Sequence, residues 1–233
     1  MDKRFSRTAQ LLGDEALQKL KNSRVAVFGL GGVGGYAAEA LARTGVGAID
    51  LIDSDTVDIT NLNRQIIATQ STVGMDKTEA MKKRIADINP EIRVTAHKLF
   101  YSAETAEKLS LSQYDYIVDA IDTVTSKIEL IINAQKSGTP IISSMGTGNK
   151  LNAYELEVSD IYKTSVCPLA RVMRYELKKR GVKGLKVVYS REEPRKSSLK
   201  GMGGKSIPAS CAFVPGTAGL IIAGEVTKDI LNL

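Results

Sequence analysis

The most informative motif of this 233-residue chain is the glycine-rich segment Gly29-Leu30-Gly31-Gly32-Val33-Gly34. An apolar run at 24–28 precedes it and an alanine-rich run with helical spacing follows it, so it predicts a turn between a β-strand and an α-helix. Glycines at such a turn let the backbone approach a phosphate, whose charge the helix N-terminus stabilises. By itself the turn suits NAD, FAD, S-adenosylmethionine or ATP. The candidate phosphate-binding residues are Gly29, Gly31, Gly32 and Gly34.

Strand-like and helix-like segments alternate on both sides of this turn. The predicted strands are 24–28, 48–52, 92–96, 116–120 and 139–143. Besides the helix after the turn, the predicted helices are 8–22, 76–87 with Asp76 as its N-cap, 103–109 and 124–136. This alternation predicts an α/β fold with a Rossmann-like, doubly wound, mainly parallel sheet and helices on both faces.

The pattern changes beyond Gly148. Segments 154–158 and 185–189 are predicted to pair as antiparallel C-terminal strands, with a helix at 168–180 between them. An apolar helix at 218–231 closes the chain. Residues 190–208 are rich in Gly, Ser, Lys and Arg, which predicts a basic loop that is disordered or becomes ordered on its substrate.

The composition is that of an ordinary globular protein, with 43% hydrophobic and 25% charged residues. No apolar run approaches the ~20 residues of a membrane-spanning helix, and the N-terminus lacks the apolar core of a secretory signal. Two cysteines, Cys167 and Cys211, are too few for a disulfide framework or a four-ligand zinc site. We therefore expect a cytoplasmic protein without zinc and without membrane contact.

Polar side chains follow the turn where a nucleotide would lie. Asp53 ends the second predicted strand, 19 residues after Gly34, where a carboxylate can accept both ribose hydroxyls; a turn cap is the alternative role. Arg64 offers a planar fork and Lys77 a point charge, which together suit a triphosphate of charge about −4. The nucleotide-binding candidates after the glycines are Asp53, Asp55, Asn61, Arg64 and Lys77.

Two carboxylates lie at the end of the fourth predicted strand. Ligands of doubly wound sheets bind at the carboxyl ends of strands, so Asp122 is the candidate Mg²⁺ ligand. Asp119 is a second candidate for that role. Its alternative role is structural, as a buried, hydrogen-bonded carboxylate at the end of the strand.

Together these motifs resemble the ATP site of the ubiquitin-activating-like (ThiF/MoeB/HesA) superfamily over about residues 4–150. The resemblance implies that Asp53 binds the ribose and that Asp122 holds Mg²⁺. It also implies that the phosphates are bound by Asn61, Arg64 and Lys77. The motifs that match are Gly29-x-Gly-Gly-x-Gly34, Asp53, Asn61-Leu-Asn-Arg64-Gln65, Val73-Gly-x-x-Lys77 and Asp122.

The same resemblance implies an assembly and a chemistry. An N-terminal arginine of these relatives reaches the phosphates of the neighbouring protomer, and Arg4-Phe-Ser-Arg7 resembles that segment. We therefore expect a homodimer with Arg7 in that role, the alternative being a solvated surface arginine. The shared reaction is attack of a carboxylate on the α-phosphate of ATP, which needs no side-chain base because the carboxylate is already ionised. The implied catalytic residues are Arg7, Arg64, Lys77 and Asp122.

The C-terminal half decides between branches of the superfamily. Adenylyltransferases of ubiquitin-like sulfur carriers usually have two Cys-x-x-Cys zinc pairs, and this chain has neither. Segments 163–170 and 213–219 and the basic loop look like the tRNA threonylcarbamoyladenosine dehydratase branch. That resemblance implies ATP-dependent cyclisation of the modified adenosine in tRNA. We therefore divide the chain into an ATP-binding half with an N-terminal helix, 1–150, and a substrate-binding extension of the same domain, 151–233.

Net charge supports a polyanionic substrate. The chain carries +6 overall, but ten Lys or Arg residues against two Glu residues give 178–205 a net charge of +8, which leaves −2 for the rest. The substrate candidates are Lys196, Lys200, Lys205 and Cys211. Cys167 and His97 are predicted to be structural, His97 at a strand edge or on the surface. A cysteine desulfurase or sulfur acceptor is a candidate partner, and a monovalent cation a candidate cofactor.

Three alternatives remain open at this point. The first is an adenylyltransferase for a ubiquitin-like sulfur carrier, since some relatives lack zinc. The second is a nicotinamide-dependent oxidoreductase, for which Arg64, Lys77 and Asp122 would have no use. The third is a non-catalytic binding module with a vestigial ATP site.

Overall fold

A computed structural model describes residues 3–196 and 208–233 of the chain. Within this part seven strands form one sheet. They are β1 (Arg24–Phe28), β2 (Ala48–Asp53), β3 (Arg93–Lys98), β4 (Tyr116–Asp119), β5 (Ile141–Ser144), β6 (Leu156–Asp160) and β7 (Lys186–Ser190). The spatial order is β3-β2-β1-β4-β5-β7-β6. All neighbours are parallel except β6 and β7, which pair antiparallel with Val158 opposite Val188.

Seven α-helices accompany the sheet in the same described residues. They are α1 (Ser6–Leu12), α2 (Asp14–Asn22), α3 (Gly34–Thr44), α4 (Lys77–Ile88), α5 (Val124–Ser137), α6 (Pro168–Lys179) and α7 (Phe213–Leu231). Residues of α3, α4 and α7 contribute to a core on one face of the sheet, and residues of α5 and α6 to cores on the other. The predicted fold class is therefore confirmed.

Strand β1 shows why the segment before the glycine turn is apolar throughout. Val25 and Val27 pack into the core that contains α3 and α7, whereas Ala26 and Phe28 pack against the opposite face. All four are fully buried. Because successive strand residues point to opposite faces, a central strand covered on both sides carries a continuous apolar run.

Helix α7 packs closely on α3, the helix that begins with the glycine turn. A Cβ atom on Gly219 would lie 2.3 Å from the carbonyl oxygen of Val33, and one on Gly216 would lie 3.3 Å from the ring of Tyr36. Only glycine permits this approach at Gly219. The packing fixes the start of α3 against the C-terminal part of the chain.

Two predicted helices differ in the structure. The predicted helix 8–22 is two helices, because Gly13 between them has φ +90°, ψ 159° and interrupts the helical path. The predicted helix 103–109 is only a 3₁₀ turn, Ala106–Lys108. There the Thr105 hydroxyl accepts from the Ser102 N–H (2.9 Å) and donates to the Phe100 carbonyl (2.7 Å), so side-chain bonds to the backbone replace helix.

Two predicted side-chain roles can be compared with the structure, and one of them, the cap at Asp76, needs correction. Asp76 precedes α4 but makes no capping bond; its carboxylate pairs with Lys98 Nζ at 2.7 Å. His97 lies near the end of β3, an edge strand of the sheet, as predicted; it is half-buried, and its Nε2 lies 2.8 Å from the buried carboxylate of Asp50. Burial tends to raise the pKa of Asp50, but bonds from Arg24, His97 and Tyr114 hold it below its usual value.

The strand order places the ligand crevice. The chain reverses direction across the sheet between β1 and β4, which are adjacent although they are far apart in sequence. Ligands of doubly wound sheets bind outside the carboxyl ends of the strands at this switch point. The glycine turn after β1 and the loop after β4 therefore border the same crevice.

The longest helix of the described ranges, α7, has 19 residues. Neither it nor any other helix in those ranges combines the length and apolar character that a bilayer crossing requires.

Candidate functional site

The glycine turn lies in close contact with the loop that follows β4. Gly29 has φ +85°, a conformation that favours glycine, and a Cβ atom there would lie 2.6 Å from the carbonyl oxygen of Ala120. A Cβ atom on Gly34 would lie 1.8 Å from the carbonyl oxygen of Gly29. These contacts leave no room for side chains, so the backbone N–H groups at the start of α3 can face a ligand.

Asp53, at the end of β2, stabilises the turn. Its Oδ2 accepts from the Leu30 N–H at 2.6 Å, and its Oδ1 accepts from the Asp55 N–H at 2.8 Å. Burial raises the pKa of Asp53 despite the opposing effects of nearby Lys77 and these two N–H groups. Each carboxylate oxygen has a second lone pair, so Asp53 can also accept from the hydroxyls of a ribose.

Lys77 and Asp55 form an ion pair beside Asp53. The Lys77 side chain is 7% exposed, and its Nζ lies 2.8 Å from Asp55 Oδ2. The Lys77 N–H also donates to the Asp55 carbonyl, and Thr56 pairs with Asp76 in an antiparallel bridge. These contacts bring Lys77, the first residue of α4, to the end of β2, although Lys77 and Asp55 are 22 positions apart in the sequence.

The predicted phosphate-binding segment 61–65 packs against the glycine turn. Asn61 is buried, and its Oδ1 accepts from the Asp58 N–H at 3.0 Å in a capping box. Arg64 Nη1 donates to the carbonyl of Thr60 at 2.9 Å, and Arg64 Cγ lies 3.6 Å from the Cβ position of Gly32. The structure therefore brings the stem of the Arg64 side chain to the glycine turn.

The two carboxylates after β4 have different environments. Asp119 is fully buried, lies 2.9 Å from the equally buried Lys127 Nζ and accepts from Ser143 Oγ at 2.6 Å. Asp122 is exposed, with a contact of 3.3 Å from Thr123 Oγ1. Asp119 is therefore a buried, hydrogen-bonded carboxylate at the strand end, which was the alternative to a role as metal ligand. The carboxylate of Asp122 is exposed and remains the candidate Mg²⁺ ligand.

Lys127 is a residue that the sequence reasoning missed. Besides Asp119, its Nζ contacts the carbonyl of Ile121 at 3.1 Å, and so holds the peptide that precedes Asp122. A signal was available: Lys127 occupies the apolar stripe of α5 between Val124 and Ile131, where a charge needs a buried partner.

Both ends of the basic loop are held at the same edge of the sheet. Asn149, just beyond β5, accepts from the Arg195 N–H at 2.8 Å through its carbonyl, and its Oδ1 accepts from the Ala209 N–H at 2.7 Å. Lys196 is exposed beside this anchor. The other two basic candidates, Lys200 and Lys205, lie outside the described residues.

The two cysteines lie in different environments. Cys167 is 1% exposed within an apolar core, in line with the structural role expected of it. Cys211 is exposed and follows Ser210, whose carbonyl accepts from Asn63 Nδ2 at 2.9 Å. Cys211 therefore lies next to the 61–65 segment.

Arg7 is exposed and is not close to the glycine turn of its own protomer. The Phe5 ring lies 3.6 Å from the Cβ position of Gly45, at the C-terminal end of α3. Since α3 is 11 residues long, about 16 Å separates that end from the turn. The N-terminal segment that contains Arg7 therefore packs at the end of α3 that is farther from the turn.

Other features of the described residues do not compete with this site. Within 3–196 and 208–233 no three His, Cys, Asp or Glu residues cluster as a metal centre. Two cavities of about 350 and 370 Å³ share Asp115 and Asp229 near the N-terminal end of β4. The two shared carboxylates are paired: Asp115 accepts from the Arg24 N–H at 2.7 Å, and Asp229 accepts from Tyr116 Oη at 2.6 Å and lies 2.7 Å from Lys186 Nζ.

Comparison with known proteins finds relatives along almost the whole chain. A sequence model of the ThiF family matches residues 5–233. The chain is 49% identical over 240 aligned positions to the tRNA threonylcarbamoyladenosine dehydratase of Bacillus subtilis (strain 168), covering 98% of this chain and 94% of that protein.

Solved structures of a similar protein have the same fold as this chain. E. coli tRNA N6-threonylcarbamoyladenosine dehydratase, TcdA, in complex with AMP superposes with a TM-score of 0.91 at 36% identity, covering 99% of this chain and 94% of that chain. The complex of the same enzyme with ATP gives a TM-score of 0.88 at the same identity and coverage.

Proposed function

The chain belongs to the ThiF family, and we propose that it is an ATP-dependent tRNA threonylcarbamoyladenosine dehydratase. It activates the threonyl carboxylate of the modified adenosine in tRNA, which then cyclises onto its own carbamoyl group with loss of water. The dehydratase of B. subtilis, matched over nearly its full length, supports this choice above the sulfur-carrier adenylyltransferase and the oxidoreductase.

One geometric observation carries the proposal within this chain: three loops meet at the glycine turn. The loop after β4 lies 2.6 Å from the Cβ position of Gly29, and the 61–65 segment lies 3.6 Å from that of Gly32. Asp53 binds the turn from the end of β2. A turn shaped for phosphates and a carboxylate for a ribose thus converge with the cationic side chain of Arg64. The turn and the carboxylate would suit NAD as well as ATP, but the additional cation suits the triphosphate of Mg-ATP and has no use in hydride transfer.

The residues act mainly by electrostatics. The N–H groups at the start of α3 and the side chains of Arg64 and Lys77 would stabilise charge on the phosphates as the carboxylate attacks. Asp53 would bind the ribose. A carboxylate of the substrate is ionised at neutral pH, so the attack needs no general base.

Asp122 would hold Mg²⁺, which supplies neutralisation of phosphate charge. Mg²⁺ commonly uses one or two carboxylates together with substrate phosphates, so a single exposed carboxylate fits it. Within the proposal a monovalent cation is a further cofactor. The protein acts as a homodimer in which Arg7 completes the phosphate site of the neighbouring protomer, in agreement with its distance from its own glycine turn.

The direct test is a mass measurement on tRNA. Protein, Mg-ATP and tRNA bearing threonylcarbamoyladenosine are incubated, and the tRNA is digested to nucleosides for mass spectrometry. We expect the modified nucleoside to lose the mass of one water, with no change when ATP is omitted. An unchanged nucleoside in the complete mixture would refute the function.

The same preparation tests the runner-up. If ATP–pyrophosphate exchange depends on a carrier protein with a C-terminal Gly-Gly and not on tRNA, the chain is a sulfur-carrier adenylyltransferase. The nature of the leaving group, AMP or ADP, follows from chromatography of the spent nucleotide.

Within the proposal, residues 151–233 form the substrate-binding extension, and tRNA binds through the basic loop. We expect neutralisation of Lys196, Lys200 and Lys205 together to weaken tRNA binding at least tenfold at low salt, because each phosphate contact releases counterions. Binding of ATP should change less than twofold. Filter binding at several salt concentrations measures the first and calorimetry the second.

A matched control for this prediction is neutralisation of Lys82 and Lys83, which are exposed on α4. Equal losses of tRNA binding in both variants would show that the loop has no special role. We further propose that the protein works in the cytoplasm and that Cys211, exposed beside the 61–65 segment, contacts the substrate or a sulfur-transfer partner such as a cysteine desulfurase.

A further inference from the structure

Lys150 is a buried cation that has no partner among the described residues. It lies shortly after β5 and is 3% exposed. Within residues 3–196 and 208–233 its side chain forms no hydrogen bond and no ion pair. A lysine is almost never buried this deeply unless an anion pairs with it, because burial removes its charge from water. The unpaired ammonium group therefore indicates a negatively charged ligand.

The other buried lysines of the described chain show what such a group requires. Lys77 Nζ lies 2.8 Å from Asp55 Oδ2, and Lys127 Nζ lies 2.9 Å from Asp119 Oδ2. Lys150 is as deeply buried as these two, but no described carboxylate lies at ion-pair distance from it. A carboxylate is thus the group that this chain places on a buried lysine, and at Lys150 the described residues supply none.

The carboxylate whose charge interacts with Lys150 is that of Glu192, and it is already bound elsewhere. Its oxygens accept from the Leu151 N–H at 3.0 Å and from the Asn152 N–H at 2.7 Å. Burial tends to raise the pKa of Glu192, but these two N–H groups and the charges of Arg195 and Lys150 hold it below its usual value. Glu192 therefore stays ionised on the backbone and leaves the Lys150 ammonium group without a direct contact.

Lys150 lies between the basic loop and the nucleotide site. The preceding residue, Asn149, binds the described ends of the basic loop, and its Oδ1 accepts from the Ala209 N–H at 2.7 Å. The next carbonyl along the chain, that of Ser210, accepts from Asn63 Nδ2 at 2.9 Å. Asn63 belongs to the predicted phosphate-binding segment. An anion bound at Lys150 would thus lie where a substrate held by the basic loop approaches the nucleotide.

We propose that the ammonium group of Lys150 binds the threonyl carboxylate of the modified adenosine in tRNA. The inference rests on the proposed function, which supplies that carboxylate. A phosphate of the tRNA backbone carries a ribose on either side, so it suits an exposed lysine. A carboxylate at the end of a flexible side arm can reach an ammonium group that is only 3% exposed.

The charge of Lys150 would also help the carboxylate to approach ATP. Both the carboxylate and the phosphates are anions, and like charges repel strongly at short range in a site from which water is excluded. A cation that the fold already holds in place lowers this repulsion without rearrangement. Lys150 neither gains nor loses a proton in this role; it binds and orients the carboxylate.

The test compares wild type with Lys150→Met on two tRNAs of the same sequence, one with threonylcarbamoyladenosine and one with unmodified adenosine at that position. Fluorescence anisotropy at one fixed salt concentration, without ATP, gives the dissociation constants free of turnover. We expect wild type to bind the modified tRNA about 10- to 100-fold more tightly, the range of one hydrogen bond between charged groups. Lys150→Met should bind both tRNAs with the wild-type affinity for the unmodified one.

Thermal unfolding of the protein without tRNA separates this role from a structural one. Because Lys150→Met removes an unpaired buried charge, we expect its Tm to lie at or above the wild-type value. A lysine that served only the fold would lower the Tm on substitution and affect both tRNAs alike. The matched control is Lys136→Met, since Lys136 is exposed in the last turn of α5, at the edge of the sheet opposite the crevice. It should keep the preference for modified tRNA.

Every outcome bears on the proposal. Equal weakening of both tRNAs by Lys150→Met, a preference that survives the substitution, or no preference in wild type overturns it. If Lys150→Met does not fold, Lys150→Gln, which keeps a polar end without the charge, decides by the same criterion.

The failure of the proposed function is a separate result. Wild type may prefer the modified tRNA and lose that preference in Lys150→Met, yet leave the nucleoside unchanged when Mg-ATP is added. That combination refutes the dehydratase and supports the contact between Lys150 and the carboxylate.

Discussion

Asp122→Ala and Arg64→Ala should each lower the rate of tRNA dehydration by about 10³-fold or more. Removal of a single group that stabilises charge in a transition state typically costs 10²–10³ in rate, and arginines on transferring phosphates contribute about 10³–10⁵. Asp122→Ala would remove the proposed Mg²⁺ ligand. Arg64→Ala would remove the guanidinium group that is proposed to bind the phosphates. The measurement is the initial rate of water loss from the modified nucleoside under saturating Mg-ATP.

Neither substitution should unfold the protein. Asp122 is exposed, and Arg64 is partly exposed with bonds only within its own turn, to the Thr60 carbonyl and Asn63 Oδ1. Surface substitutions of this kind usually change the free energy of unfolding by no more than about 0.5 kcal/mol. The activity loss would therefore reflect chemistry rather than stability.

Asp87→Ala and Arg93→Ala serve as matched controls, because both residues are exposed and neither borders the crevice. They should keep near-wild-type rates. If both Asp122→Ala and Arg64→Ala retain activity within tenfold of wild type, the assignment of the site is wrong.

Lys127→Met should lower the free energy of unfolding by about 3–5 kcal/mol, the largest stability effect we expect from one substitution. Lys127 and Asp119 are both fully buried and lie 2.9 Å apart. Removing one partner of a buried ion pair leaves an uncompensated charge in a poorly polarisable environment. Urea denaturation of the protein without nucleotide measures the effect through the transition midpoint and slope.

A second variant isolates the cause of that loss. Asp119→Asn added to Lys127→Met removes the orphaned charge, while the amide oxygen can still accept from the Ile121 N–H and the amide NH₂ can donate to Ser143 Oγ. We expect the double variant to recover at least half of the lost stability. A loss below about 1 kcal/mol for Lys127→Met, or no recovery in the double variant, would contradict the prediction. Lys82→Met is the exposed control.

The ion pair also links stability to the proposed site. Lys127 holds the Ile121 carbonyl, and Ile121 directly precedes Asp122. A folded Lys127 variant should therefore show weaker Mg²⁺ dependence as well as lower stability, since the peptide before the metal-binding carboxylate would lose its restraint.

Most of the fold could be predicted from local pattern. The strand at Arg24–Phe28 has the predicted bounds, and the strands from β2 to β5 begin or end within two residues of their predicted bounds. Buried parallel strands and amphipathic helices each have a characteristic spacing of apolar residues, which can be read directly from the sequence. The predicted helix 8–22 failed at Gly13 because a single residue with positive φ is enough to interrupt a helix whose apolar spacing continues across it.

The residue types of the site could also be predicted, because a phosphate, a ribose and a metal ion each restrict which side chains can bind them. The hydrogen-bond partners of these side chains could not be predicted. Asp53 bonds Leu30 from 23 positions away, and Asp119 meets Ser143 from 24 positions away. Such distances in sequence carry no periodic signal.

Local sequence patterns are thus enough to predict a doubly wound α/β fold with a nucleotide turn after its first strand, since helix and strand periods and the turn chemistry are local properties. Residues of the same type, which the sequence patterns do not distinguish, receive different environments when the chain folds. Folding buries Asp119 with Lys127 and leaves Asp122 exposed, and it buries Lys150 without a partner in the described part of the chain. The physical reason is that burial and hydrogen-bond partners arise from strands and helices that meet only when the sheet is assembled.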